Sequence, residues 1–193
     1  MYVLLAFVVS LQMAQSPRAG RIPAGCDSMS IISHLVNWGY RKPHRPRTIE
    51  AIIIHSSYNA ASPDSFSLQG VLREYKDADV SPHYIIDRKG NIYRLVADKD
   101  IAYQAGKSRL PDGKTNVNEV SIGIEIINTM RDSPTQAQYI SLAKLVHCLQ
   151  SKYPIKYVLG HKDIAPGRKT DPWNFNWKKF RALLAGQEQP RKI

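Results

Sequence analysis

An unbroken apolar run, Ala51-Ile52-Ile53-Ile54, ends on His55 and predicts a strand buried on both faces. Residues 66–75 place Leu68, Val71, Leu72 and Tyr75 along one line at helical spacing, which predicts a short helix. Residues 83–87 and 92–96 are rich in aromatic and β-branched residues and flank the glycine-containing stretch 88–91, a hairpin signal. From Ser121 to Ile127 the period is two. Ile122, Ile124 and Ile126 go to one face and Ser121, Gly123 and Glu125 to the other, where Gly123 leaves space beside the carboxylate. A longer helix is predicted from Pro134, with Ser133 as its N-cap, an apolar stripe of Tyr139, Leu142, Ala143, Val146 and Leu149, and an end near Pro154. Residues 156–159 predict a short strand that delivers His161, and residues 177–184 a last helix. Strands alternating with helices, plus one hairpin, give an α/β class: a single domain whose central mixed β-sheet is flanked by helices.

Two stretches fall outside this alternation. Residues 2–11 form an apolar run well short of the roughly 20 residues a membrane span needs. It has the length of a secretory h-region, so residues 1–16 are expected to be a signal peptide or hydrophobic anchor and the protein to be exported to the periplasm or cell envelope, with a cytoplasmic protein as the alternative if the segment is not a signal. Residues 17–48 are rich in Pro, Arg and Gly and read as a lead-in, with one apolar piece at 29–36 that predicts a helical turn or two and a basic, solvated connector at 41–47. The folded domain is expected over 49–185, followed by a polar tail over 186–193.

A chain of 193 residues suits one domain, and a monomer is expected. The net charge of +11 attracts polyanions such as an anionic envelope surface. Its cations are dispersed, without interleaved aromatics or a recognition motif, so no specific nucleic-acid partner is expected. The two cysteines, Cys26 and Cys148, form no C-x-x-C pair, which excludes a zinc knuckle or a dithiol redox motif. Cys148 lies on the long helix's apolar stripe and is expected to be a buried free thiol.

The stretch Gly160-His-Lys-Asp-Ile-Ala-Pro-Gly-Arg-Lys-Thr-Asp171-Pro172 carries a histidine and a carboxylate ten residues apart, with Lys169 two residues before the carboxylate. His55 stands at the end of the first strand. Two imidazoles and a carboxylate are an acceptable three-ligand set for zinc, leaving a fourth position for water. No local spacing rule ties His55 to the other two, and the chain has 6 histidines, so the residues alone leave a packed His55 as an open alternative.

Five blocks, IIIHSS, SPHYIIDRKGNIYRLV, AYQAGKS, NVNEVSIGIEI and GHKDIAPGRKTDP, resemble in the same order those of the zinc-dependent N-acetylmuramoyl-L-alanine amidases, type 2. That family also includes phage amidase-lysozymes and, more distantly, animal peptidoglycan-recognition proteins. The resemblance covers residues 49–184. It implies a zinc enzyme that hydrolyses the amide between N-acetylmuramic acid and L-alanine in peptidoglycan or its (anhydro-)muropeptide fragments, with a non-catalytic peptidoglycan-binding module as the alternative. It makes His55, His161 and Asp171 the zinc ligands. Asp171 favours the enzyme, because the phage branch has cysteine there and non-catalytic recognition proteins lose the ligand. Lys169 matches the catalytic lysine and suits stabilisation of a developing oxyanion.

Glu125 matches the carboxylate that anhydro-muropeptide amidases use beside zinc, and Pro82 stands where the phage branch has a tyrosine. Proton transfer is therefore expected from Glu125. Lys107, Asn118 and Arg168 lie in matching blocks and are expected to contact substrate, as is His83 if it is not simply structural. Tyr103-Gln104 departs from the family's frequent Trp-His.

Overall fold

Strand β3 (Ala51–Ser57) lies inside the sheet with hydrogen-bonded neighbours on both sides, which is why its side chains from Ala51 to Ser56 are all buried. The computed structural model describes residue 26 and residues 29–186; the expected leader at 1–16 and the tail beyond residue 186 lie outside the described residues. Around β3 are β1 (Ile31–Ser33), β4 (Tyr84–Ile86), β5 (Ile92–Arg94), β7 (Ser121–Ile127) and β8 (Tyr157–Gly160), in the sheet order β1-β5-β4-β7-β3-β8. β3 runs parallel to β7 and β8, β4 is parallel to β7, and the β4–β5 hairpin supplies the antiparallel pair. The sheet is mixed, as the alternation and hairpin predict.

Period two divides the sheet into two packed faces. Ile52, Ile54, Ile122, Ile124 and Ile126 pack with Tyr139, Leu142, Val146 and Leu149 of α2 (Gln136–Lys152) and Phe180 of α4 (Trp177–Leu184). On the opposite face Ala51 and Ile53 meet Ala105, Leu110, Val117 and Ile164, while Ile85 meets Val71 and Leu72 of α1 (Leu68–Asp77). Each buried Ile or Leu contributes about 1.5–3 kcal/mol. The second face, less evenly covered, is the one that carries His55 and Glu125.

Four local expectations are corrected. The apolar piece at 29–36 forms no helical turn: Ile31 to Ser33 extend as β1, parallel to β5, and His34 and Val36 continue the pairing by donating to the Arg94 and Leu95 carbonyls at 2.9 and 3.0 Å. The open hydrogen-bonding edge of β5 outweighs the helical tendency of so short a run.

The connector at 41–47 is not merely solvated. Tyr40 and Arg41 form β2, antiparallel to β6 (Ile101–Ala102), Arg41 pairs with Glu119, and the Arg47 guanidinium donates to the carbonyls of Asn118 and Ser121. Burial lowers the Arg47 pKa to about 10, leaving it a cation at neutral pH.

The N-cap of α2 is Thr135, not Ser133. Its hydroxyl accepts from Gln138 N at 3.1 Å and its own N–H donates to the Gln138 side chain at 3.0 Å, a reciprocal capping box that starts the helix two residues later than a proline at its first position would.

Finally, Cys148 is not a free thiol but is joined to Cys26 by a disulfide. Nothing in the spacing of two cysteines separated by 122 positions signals the pairing. It ties the lead-in to α2.

Candidate active site and metal centre

Register brings the site together at the carboxyl ends of three parallel strands, where α/β sheets commonly bind ligands. His55 on β3 stands directly beside Glu125 on β7, and Ile54 pairs with Gly160 at the end of β8. The next residue, His161, therefore emerges next to His55 as the first residue of the one-turn helix α3 (His161–Ile164). Gly160 is required by packing: a Cβ there would lie 2.7 Å from Pro172 Cδ. That close approach, together with the bond from Lys162 N to the Asp171 carbonyl at 2.9 Å, returns the 165–172 loop to α3 and places Asp171 against both histidines.

The three side chains converge through His55 Nδ1, His161 Nδ1 and Asp171 Oδ2, separated by 3.0, 3.4 and 3.3 Å. Both remaining ring nitrogens are already committed. His161 Nε2 lies 3.1 Å from the Ala105 carbonyl, which only accepts, so this nitrogen carries the hydrogen. His55 Nε2 lies 2.6 Å from Gln104 Oε1, whose amide nitrogen is fixed as a donor to Ser121 Oγ at 2.8 Å. Two imidazole lone pairs thus face each other and a carboxylate. Such a cluster repels itself unless a cation lies between its members.

The separations also match the edge of a tetrahedron with 2.0–2.1 Å metal bonds, about 3.3 Å. Hydrogen bonds from the far ring nitrogens to a carbonyl and an amide oxygen are the outer support that metal-binding histidines have. The donor set fits a zinc ion.

The electrostatics agree with a site built for positive charge. Burial lowers the His55 pKa, so its ring resists a second proton. Burial works to raise the Asp171 pKa, but interactions with His161 and His55 outweigh it and hold the carboxyl well below the ordinary range. Glu125 is opposite in sense. Burial, reinforced by the negative charge of Asp171, pushes its pKa up to about 8, against hydrogen bonds from Tyr75 and Ser57 and the charge of Lys169. Two carboxylates within one cavity are thereby tuned apart, one for permanent charge and one for exchanging a proton near neutrality.

These groups line a cavity of about 400 Å³ that also admits Tyr75, Pro82, Gln104, Thr170 and Trp173. Lys169 is exposed at its wall. Of the substrate contacts expected from sequence, only Asn118 reaches the cavity, and its side-chain oxygen is occupied by the Gln104 and Ala105 amides at 3.2 and 2.8 Å. Arg168 is turned elsewhere, its Nη2 donating to the carbonyls of Ala105 and Lys107 at 2.8 and 2.7 Å. Lys107 is exposed outside the cavity lining.

His83 is fully buried. It accepts from Gly123 N at Nδ1 (3.1 Å) and donates from Nε2 to the Asp100 carbonyl (3.1 Å), while burial lowers its pKa to about 3. It is a neutral cross-link between chain segments, the structural alternative, and lies outside the cavity lining.

The sequence assigns no site role to three residues of this cavity, Gln104, Ser57 and Tyr75. Gln104 lies in a loop with no periodicity, although the space beside Gly123 was a signal that something fills it. Ser57 lies two residues beyond His55 and so shares its face, an unused inference from strand period. Tyr75 ended the apolar line of α1 and read as core.

The sequence profile of the N-acetylmuramoyl-L-alanine amidase family matches residues 45–174. The chain belongs to this family. Among amidase relatives, the 1,6-anhydro-N-acetylmuramyl-L-alanine amidase AmpD of Escherichia coli is 42% identical over 109 residues, 55% of this chain and 59% of that protein. AmpD of Haemophilus influenzae is 32% identical over 160 residues, 73% of this chain and 85% of that protein. The matched part of this chain thus spans less than two thirds of the E. coli amidase. Among solved amidases, E. coli AmiD, in complex with the substrate anhydro-N-acetylmuramic acid-L-Ala-D-γ-Glu-L-Lys, superposes with a TM-score of 0.60 at 29% identity, covering 74% of this chain and 60% of that one. The shared architecture is the single-domain α/β fold with a mixed central sheet flanked by helices.

Proposed function

We propose that this protein is a zinc-dependent amidase that cleaves the bond between N-acetylmuramic acid and L-alanine in muropeptides or in peptidoglycan. The observation that carries the reading is the meeting, in one cavity, of three converging ligand atoms with a proton-exchanging carboxylate and an exposed lysine. A module that only recognised the wall would need neither Glu125 nor Lys169. The substrate class rests on family membership and on the muropeptide bound by the AmiD relative.

His55, His161 and Asp171 would hold the ion, the carboxylate offsetting one of its two charges. When bound, zinc supplies Lewis acidity, lowering the pKa of a coordinated water toward about 7 and polarising an amide carbonyl. Glu125 takes a proton from the attacking water and delivers it to the departing amide nitrogen, which leaves as the free amino group of L-alanine. Lys169 donates to the carbonyl oxygen as negative charge grows there. Gln104 and the Ala105 carbonyl keep both imidazoles in the tautomer that directs Nδ1 inward.

We further propose that the protein works in an oxidising compartment at the envelope. The Cys26–Cys148 disulfide supports this placement, because such bonds persist in exported proteins and are rare in a reducing cytosol; the apolar run at 2–11 is consistent with it.

The test combines metal analysis of the purified protein with product analysis. One tightly held zinc per chain and release of L-alanine amino termini from anhydro-muropeptides or purified sacculi are expected. Failure to hold zinc, or zinc without release from either substrate, overturns the reading.

A further inference from the structure

The cavity contains a polar pair that the zinc chemistry above leaves unused. Tyr75 OH and Ser57 Oγ are 2.6 Å apart, joined by a hydrogen bond, and both residues line the cavity beside Glu125, whose acidity they increase. The three groups come from three elements, α1, β3 and β7. Ser57 shares the face of His55 by strand period, and His55 is the register partner of Glu125, so Ser57 is a diagonal neighbour of the carboxylate.

Tyr75 arrives from the helix. Ser67 caps α1 by accepting from Gly70 N at 3.2 Å, and Gly70 lies so close to Asn59 that a Cβ would sit 2.3 Å from its side-chain carbon. This contact presses α1 against the loop that follows β3 and turns the phenol into the cavity. The hydroxyl end of Tyr75 is buried, and burial followed by the charge of Glu125 raises its pKa, so it keeps its proton and acts as a donor.

We propose that Tyr75, assisted by Ser57, is the positioning residue for Glu125, holding the carboxylate in one orientation toward the attacking water. The inference rests on the amidase reading. Its physical basis is that a buried carboxylate without directed donors is free to rotate and is costly to ionise, whereas the hydroxyl pair, with one O–H spent between Ser57 and Tyr75 and the other left to turn toward Glu125, supplies a directed donor that fixes its plane and leaves its remaining lone pairs open to the cavity. A structural role for Tyr75 as a packing aromatic would be retained by phenylalanine; the proposed role would not.

Steady-state turnover of an anhydro-muropeptide by the zinc-loaded protein tests this. Tyr75→Phe is expected to lower kcat about ten- to a hundredfold, the range of a lost hydrogen bond to a charged group, with KM within about twofold and zinc content unchanged. In a Glu125→Gln background, assayed at high protein concentration for its residual rate, the same substitution is expected to have little further effect. Ser57→Ala, which removes the supporting hydroxyl from β3, is expected to give a smaller loss of the same kind and keeps the test alive if Tyr75→Phe folds poorly.

An active wild type with undiminished Tyr75→Phe turnover overturns the inference alone. So does an equal fractional loss in the wild-type and Glu125→Gln backgrounds. A wild type that holds zinc yet hydrolyses nothing overturns the amidase reading, and this inference with it.

Discussion

Gln104 occupies the space that Gly123 leaves: a Cβ on Gly123 would sit 2.6 Å from Gln104 Cγ and 2.9 Å from its Cδ. The glycine beside Glu125 therefore serves the candidate metal centre through an intermediary, since the side chain it admits is the one that accepts from His55 Nε2. Gly123→Ala is expected to expel Gln104 and free the His55 ring, weakening zinc binding about 10- to 100-fold, as for loss of an outer hydrogen-bond partner. Competition with a chromophoric chelator measures it. Gln104→Ala should reproduce the effect without touching the strand, and unchanged affinity in both variants would remove Gln104 from the site.

Asp171 and Lys169 sit two residues apart and should fail differently. Asp171→Ala leaves two facing imidazole lone pairs without the anion that balances a dication, so loss of both zinc and turnover is expected. Lys169→Ala should retain a full equivalent of zinc and lose about two to three orders of magnitude in kcat. Metal analysis alongside kinetics separates the two.

Glu125 makes the metal-free protein's stability depend on pH. Its folded pKa of about 8 lies above the ordinary 4.5, so between these values the folded state holds a proton that the unfolded chain has released. That contribution is full below about pH 4.5 and is lost as pH rises toward 8, at about 1.4 kcal/mol per pH unit within the window. Glu125→Gln has no such proton to lose. In chelated protein its stability relative to wild type should therefore grow from pH 5 to pH 8 by urea unfolding, and parallel curves would show that Glu125 is not buried as described.

The disulfide should stabilise the fold by closing a long loop. Cys148→Ser is expected to cost about 2–4 kcal/mol in denaturant unfolding under oxidising conditions, a difference that disappears in reductant, where the wild type loses the bond as well. Unfolding midpoints with and without reductant give the comparison directly.

What sequence made legible follows the reach of periodicity. The β-branched run ending at His55, the alternation through Glu125 and the strand leading to Gly160 specify three strand ends. Once those strands are parallel neighbours, their register brings His55, Glu125 and His161 together without further information. Asp171 needs a loop to turn back, and only the block resemblance anticipated that.

The parts that were not legible depend on contacts between segments that carry no pattern of their own. The 29–36 piece is too short for its period to distinguish a helical turn from a strand, and the free edge of β5 decides it. For His83 the block resemblance leaves substrate contact and a structural role open, and burial decides it, since both its ring nitrogens are spent on backbone groups. Lys107 and Arg168 are matched to substrate contact by their place in the family blocks and by their charge, whereas the Arg168 guanidinium is used to hold a loop that supplies a carbonyl to His161.

The β1–β5 pairing has a practical consequence. The family's sequence profile begins at residue 45, beyond Ile31–Ser33, so a shortened chain cut to that boundary would strip β5 of its parallel partner. Ile92 to Arg94 would then present unsatisfied backbone donors and acceptors to any other extended chain. Such a fragment would retain His55, His161 and Asp171, the proposed zinc ligands, and still be lost to edge-to-edge aggregation.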